Sequence, residues 1–183
     1  VFVLTNIRAR FTREEELKFI SHLDMMKMFE RALRRAGLPV SYSQGFNPHP
    51  QIIFGLPLSV GVTSEAEYLD IMLSEDVEPQ QFVEVLNKQL PEGLRILEAK
   101  VKSSKSNIMA TISKASYEVL TSIAQKPDIS EVKDKVLQFL NNSEIIIKKK
   151  TKSKVRDIDI KPMIHEFKAY YIENRRTIEQ NKD

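Results

Sequence analysis

The sequence predicts an α+β protein: a ferredoxin-like βαββαβ unit followed by a second, similar but incomplete one. Three observations carry that expectation. Between residues 6 and 101, period-2 and period-3.6 apolar patterns alternate in the order strand, helix, strand, strand, helix, strand. From residue 117 onward the order begins again and runs as far as βαββα. Apolar residues make up 42% and charged residues 29%, as in ordinary globular chains with enough apolar surface to bury a core. The expected division is residues 1–103 and 104–183, with the closing strand of the second unit missing or irregular.

The first element is Asn6 to Phe11, where Ile7, Ala9 and Phe11 alternate with Asn6, Arg8 and Arg10 as in a half-buried strand. Thr12 to Glu16 is polar and reads as a turn. The helix that follows has Ser21 at its N-cap and Asp24 three residues on, able to return a bond to the cap and to favour the positive end of the helix dipole. Leu23, Met26, Phe29 and Leu33 form its expected apolar face, and Glu30 stands four residues from Arg34. Gly37 and Pro39 end it.

The next stretch, Ser41 to Pro50 (SYSQGFNPHP), has neither period. Pro48 and Pro50 remove backbone donors and hold Asn47 and His49 extended, while Gly45 permits a turn that a side chain would oppose. A stiff loop presenting Gln, Asn, His and two aromatics suits binding better than linking. Gln51 to Phe54 is a short strand. In the strand Ala66 to Leu73, pleating puts Tyr68, Asp70 and Met72 on one side and Glu67, Leu69, Ile71 and Leu73 on the other. Glu67, at the entry of the buried side, is expected either to pair with an arginine of the first helix or to bind substrate. Pro79 to Leu90 is a helix with Phe82, Val83, Val85 and Leu86 inward, and Leu94 to Val101 a strand.

In the second half, Tyr117 to Ser122 reads as a strand and Ile129 to Leu140 as a helix. Glu144 to Lys150 and Lys154 to Ile160 make a hairpin around Thr151, Lys152 and Ser153, and Pro162 opens a short helix at its first position. Lys168 to Asp183 is too polar for a core strand.

There are no cysteines, which excludes disulfides, thiolate zinc sites and cysteine-ligated iron–sulfur clusters within these residues. No apolar run approaches the ~20 residues that cross a bilayer, and the opening VFVL is too short for a signal peptide. A cytoplasmic location and no membrane partner are therefore expected. Residues 1–100 carry 11 Lys+Arg against 14 Asp+Glu, and residues 101–183 carry 17 against 11, giving −3 and +6. Basic groups gather on the first helix (Lys27, Arg31, Arg34, Arg35) and at Lys148, Lys149, Lys150, Lys152, Lys154 and Arg156, two patches compatible with nucleic acid.

One resemblance adds to this reading. His22, Asp24, the run Glu30 to Pro39 (ERALRRAGLP), Ser43 to Pro50 (SQGFNPHP), and Gly61, Ser64, Glu65 and Tyr68 resemble the signature of the radical-SAM-linked domain family. A second match lies around Asp157, Asp159 and Pro162 in VRDIDIKPMI. Members of that family are fused to, or encoded beside, a radical SAM protein that often carries a cobalamin-binding region. The resemblance implies a radical SAM partner holding the iron–sulfur cluster, S-adenosylmethionine and cobalamin, and no cofactor on this chain.

The expected function is an accessory or substrate-recognition module for that partner, acting on RNA. Arg31, Arg34 and Arg35 would hold phosphates, Tyr42 and Phe46 would offer stacking faces, and Gln44, Asn47 and His49 would read polar edges, with Lys148, Lys150 and Lys152 extending the track. One alternative is an enzyme using His22, Asp24 and His49 on a nucleotide substrate, since histidine titrates near neutral pH. The spacing of those three residues does not define a metal site, and none is assigned. The other alternative is a scaffold that docks the partner without touching substrate.

Overall fold

The computed structural model describes residues 5–122, 126–151, 153–170, 172–173 and 176–177. The chain divides into two compact units, residues 1–117 and 118–183.

The first unit runs β1 (Thr5–Arg13), a 3-10 turn (Glu15–Leu17), α1 (His22–Arg35), β2 (Ile52–Phe54), β3 (Ser64–Leu73), α2 (Pro79–Asn87), β4 (Leu94–Val101) and α3 (Ile108–Thr111). The four strands form one antiparallel sheet in the order β2-β3-β1-β4. Each predicted strand and helix of residues 6–101 is present. β1 continues through Arg13 where a turn was expected, and β3 begins at Ser64.

β1 alternates buried and half-buried residues along its whole length. Its inward side chains Ile7, Ala9 and Phe11 pack with Leu69, Ile71 and Leu73 of β3, Phe82 and Leu86 of α2, and Leu94 and Ile96 of β4. α1 closes the same face through Met25, Phe29, Ala32 and Leu33. This corrects the expected stripe: Leu23 is 67% exposed and Met26 is exposed as well. Phe29 fixes the rotation, since its ring meets Phe11 at 5.1 Å and Phe54 at 5.5 Å, edge to face in both cases.

The other face of the sheet is built around a charge. Asp70, 2% exposed, takes two bonds from Arg8, a contact from Lys102 at 3.3 Å and the backbone N–H of Ile108 at 2.9 Å. Segment 102–112 is thereby strapped to the sheet, with Ile108 buried beneath it. Gly55 on the β2 edge leaves room for the strap, because a Cβ there would lie 2.6 Å from Ile112 Cδ1.

The second unit contains α4 (Ile129–Asn141), β5 (Ile146–Lys150), β6 (Val155–Asp159), a 3-10 turn with Pro162 in its first positions (Lys161–Met163), β7 (Ile172–Glu173) and β8 (Arg176–Thr177). β5 pairs with β6 and β7 with β8, both antiparallel. Tyr117 to Ser122 does not form the expected strand; it has no regular structure, and Val119 and Leu120 are exposed. Among the described residues no strand lies beside it to satisfy its backbone. After Lys168, where the closing strand was expected to be missing or irregular, β7 and β8 make a short pair. Among the described residues no helix is long and apolar enough to cross a membrane.

Candidate functional site

The loop between α1 and β2 folds as a projecting finger. Ser41 N–H donates to the Met72 carbonyl and Met72 N–H to the Gln51 carbonyl, anchoring both ends on β3. Gln51 N–H returns to Ser41, Tyr42 bridges to Pro50, and Ser43 N–H donates to the His49 carbonyl at 2.8 Å. The Ser43 hydroxyl accepts the His49 N–H at 3.0 Å, so serine closes the neck from both sides. Gly45 turns the tip at φ 128°, in the region that favours glycine. Gln44, Phe46, Asn47 and His49 are exposed, and Phe46 has no packing neighbour to cover its ring.

Beside the finger, the last turns of α1 and the chain that leaves it enclose a groove of about 260 Å³. Leu33, Leu38, Val40 and Pro50 supply apolar walls, Tyr42 one edge, and Glu30 and Arg34 the polar rim. The expected Glu30–Arg34 pair does not form: among the described residues neither side chain makes a hydrogen bond or ion pair. Arg31 is also exposed and free of such partners. Arg35 differs, since its Nη2 donates to the Gln89 carbonyl at 2.6 Å and ties α1 to the end of α2.

The three candidate catalytic residues are not gathered. Asp24 completes the cap of α1: its N–H donates to Ser21 Oγ at 3.2 Å and its Oδ2 accepts the Ser21 hydroxyl at 2.6 Å. His22 is the first residue of the helix, with its ring edge-on to Phe54 at 5.2 Å. His49 lies on the finger, which starts beyond the other end of α1, roughly 20 Å along the helix from His22 at about 1.5 Å per residue. Among the described residues no three His, Cys, Asp or Glu side chains cluster as metal ligands.

His22 instead shares a small cleft with Phe11, Met25, Phe54, Arg13 and Glu67. Glu67 accepts the Ser64 hydroxyl at 2.8 Å and faces Arg13, not an arginine of the first helix as expected. Arg13 is 3% exposed and spends its guanidinium on the carbonyls of Leu17, Lys18, Ile20 and Leu58. Burial foremost raises the Glu67 carboxyl above its ordinary range, against the Ser64 bond and the Arg13 charge.

In the second unit Lys148 and Lys150 are exposed on β5; Lys152 lies outside the described residues. Lys148 stands opposite Asp157, but Lys149 stands opposite Arg156. Like charges directly across an antiparallel ladder repel, and an anion would relieve them. That juxtaposition, like the meeting of Glu30 with the finger's Pro50 around the groove, depends on register and loop path that spacing alone does not supply. Asp159 serves the hairpin itself, its Oδ1 accepting the N–H groups of Ile145 and Lys161 and so fixing both ends.

No curated protein matches the chain. A family model described as an uncharacterised protein conserved in bacteria (DUF2344) matches residues 6–182. The match spans both units, including α1, the finger and the basic hairpin, and the chain belongs to that family.

Proposed function

We propose that this chain is a substrate-recognition module for a radical SAM partner and that it binds RNA through α1 and the finger. The observation that carries the reading is the pairing of unengaged cations with exposed rings. Arg31 and Arg34 have no protein partners among the described residues, Arg34 shares a groove with Tyr42, and Phe46 stands bare at the finger tip. Arginine binds phosphates, and unstacked bases of single-stranded RNA stack on aromatic side chains. The order β2-β3-β1-β4 with both long helices on one face supports a ferredoxin-like sandwich for the first unit. The radical SAM partner rests on the signature residues; it would supply the cluster, S-adenosylmethionine and cobalamin, and the pair would work in the cytoplasm.

RNA binding by the purified chain across a salt series, beside Arg31→Ala/Arg34→Ala, tests this. Micromolar-order binding that weakens with salt, with a shallower slope in the variant, is expected. A folded chain that binds no RNA at low salt overturns the RNA reading. Docking of the partner without RNA is the second reading, favoured by exposed Phe19, Leu23 and Val60 around the start of α1.

A further inference from the structure

We infer that the groove at the end of α1 is a pocket for a single unpaired guanine, an inference that rests on the RNA-recognition reading. Its volume, about 260 Å³, lies just under the ~300–1,000 Å³ of pockets for drug-sized ligands and suits one ring system. Its lining is part apolar and part polar: Leu38, Val40 and Pro50 supply apolar surface with Leu33 buried behind it, and Tyr42 is half-exposed at the edge.

The rim selects the base. Glu30 and Arg34 stand four residues apart, where oppositely charged side chains ordinarily pair, yet both line the groove unpaired. A carboxylate offers two acceptor oxygens and no donor. Guanine presents two adjacent donors, N1–H and the N2 amino group, on its Watson–Crick edge. Adenine sets the acceptor N1 beside its amino group, cytosine sets the acceptor N3 beside its own, and uracil has one N–H between two carbonyls. Guanine alone satisfies both oxygens of Glu30, and the other bases leave an acceptor facing an acceptor. Arg34, one helical turn further on, is placed for a phosphate of the same strand.

The test is fluorescence anisotropy of the full chain with short uridine oligonucleotides carrying one central guanosine, inosine or adenosine. Guanosine is expected to bind about tenfold tighter than inosine, which lacks the N2 amino donor to a charged acceptor. Glu30→Gln should abolish that difference and narrow the gap to adenosine, because an amide offers one acceptor and one donor, matched alike by N1–H and O6 of guanosine or inosine and by the N6 amino and N1 of adenosine. Arg34→Ala should weaken all three oligonucleotides alike. Equal, salt-sensitive binding of all three by the wild type, or an unchanged guanosine preference in Glu30→Gln, overturns the pocket and leaves RNA recognition standing. No binding of any oligonucleotide at low salt by the folded chain overturns both.

Discussion

Arg8 grips Asp70 with two parallel bonds, Nε to Oδ1 at 2.7 Å and Nη2 to Oδ2 at 3.0 Å, at directly opposed positions of β1 and β3. This two-pronged contact adds geometry to charge. Because Asp70 also accepts the Ile108 N–H and faces Lys102, one carboxylate holds two strands, the exit of β4 and the strap together.

Asp70→Asn keeps the shape and removes the charge that Arg8 and Lys102 share. Breaking a buried ion pair from one side costs about 3–5 kcal/mol, and the partial exposure of Arg8 places the expected loss near the lower figure. Urea unfolding at pH 7 measures it. A loss under about 0.5 kcal/mol would mean the strap is held by Ile108 alone.

The two carboxylates of β3 should answer pH in opposite senses. For Asp70, burial pushes the carboxyl up, but the bonds and charge of Arg8, then of Lys102, outweigh it and leave the group below its ordinary range. Its stabilising contribution is complete above the unfolded value near 3.9 and disappears as pH falls through the lower folded value. For Glu67, burial wins and the folded value is raised. Its contribution is fully present below the unfolded value near 4.3 and is lost as pH rises through the folded one. Glu67→Gln should therefore stabilise the protein at pH 7, with the gain shrinking towards pH 4. Unfolding midpoints of wild type, Asp70→Asn and Glu67→Gln between pH 3 and 7 check both slopes.

The strap makes a packing prediction. Gly55→Ala places a methyl group 2.6 Å from Ile112 Cδ1 and 3.2 Å from Ile108 Cγ1. The first of these is the end of a flexible side chain, so the expected destabilisation is about 1 kcal/mol, at the low end for overpacking. Ile112→Val removes that Cδ1 and should rescue most of it, giving a non-additive cycle by denaturant unfolding. Additive losses would place the clash elsewhere.

Much of this layout is legible in the sequence, and the limits have identifiable causes. The alternation from Tyr68 to Leu73 puts Asp70 and Leu69 on opposite faces, as found, because pleating has a strict period of two. α1 is harder. Leu23, Met25, Met26, Phe29, Ala32 and Leu33 support two overlapping stripes that share Phe29 and Leu33, and only the rings of Phe11 and Phe54 choose between them. Glu67 meets Arg13 because β1 runs on through Arg13, which falls in phase with Ile7, Ala9 and Phe11 and turns inward against carbonyls; reading Thr12 to Glu16 as a turn hides that phase. Tyr117 to Ser122 has a strand's alternation, but among the described residues no strand lies beside it. The finger's Gly and Pro content signals a rigid loop, but its groove exists only once Pro50 folds back over α1.

Phe46 separates recognition from stability. Its ring is fully exposed at the tip of a finger whose neck is closed by Ser43 and His49, so truncation removes no core contact. Phe46→Ala should leave the unfolding free energy within about 0.5 kcal/mol of wild type. If a base stacks there, RNA affinity should fall by about 1–3 kcal/mol, the usual value of one base–aromatic contact. Because stacking is insensitive to salt while phosphate contacts are not, the loss should be the same at low and moderate salt, unlike that of Arg31→Ala/Arg34→Ala. Thermal melts beside anisotropy at two salt concentrations distinguish these outcomes. Unchanged RNA affinity with a folded variant would remove Phe46 from the RNA surface and leave its bare ring to a protein partner.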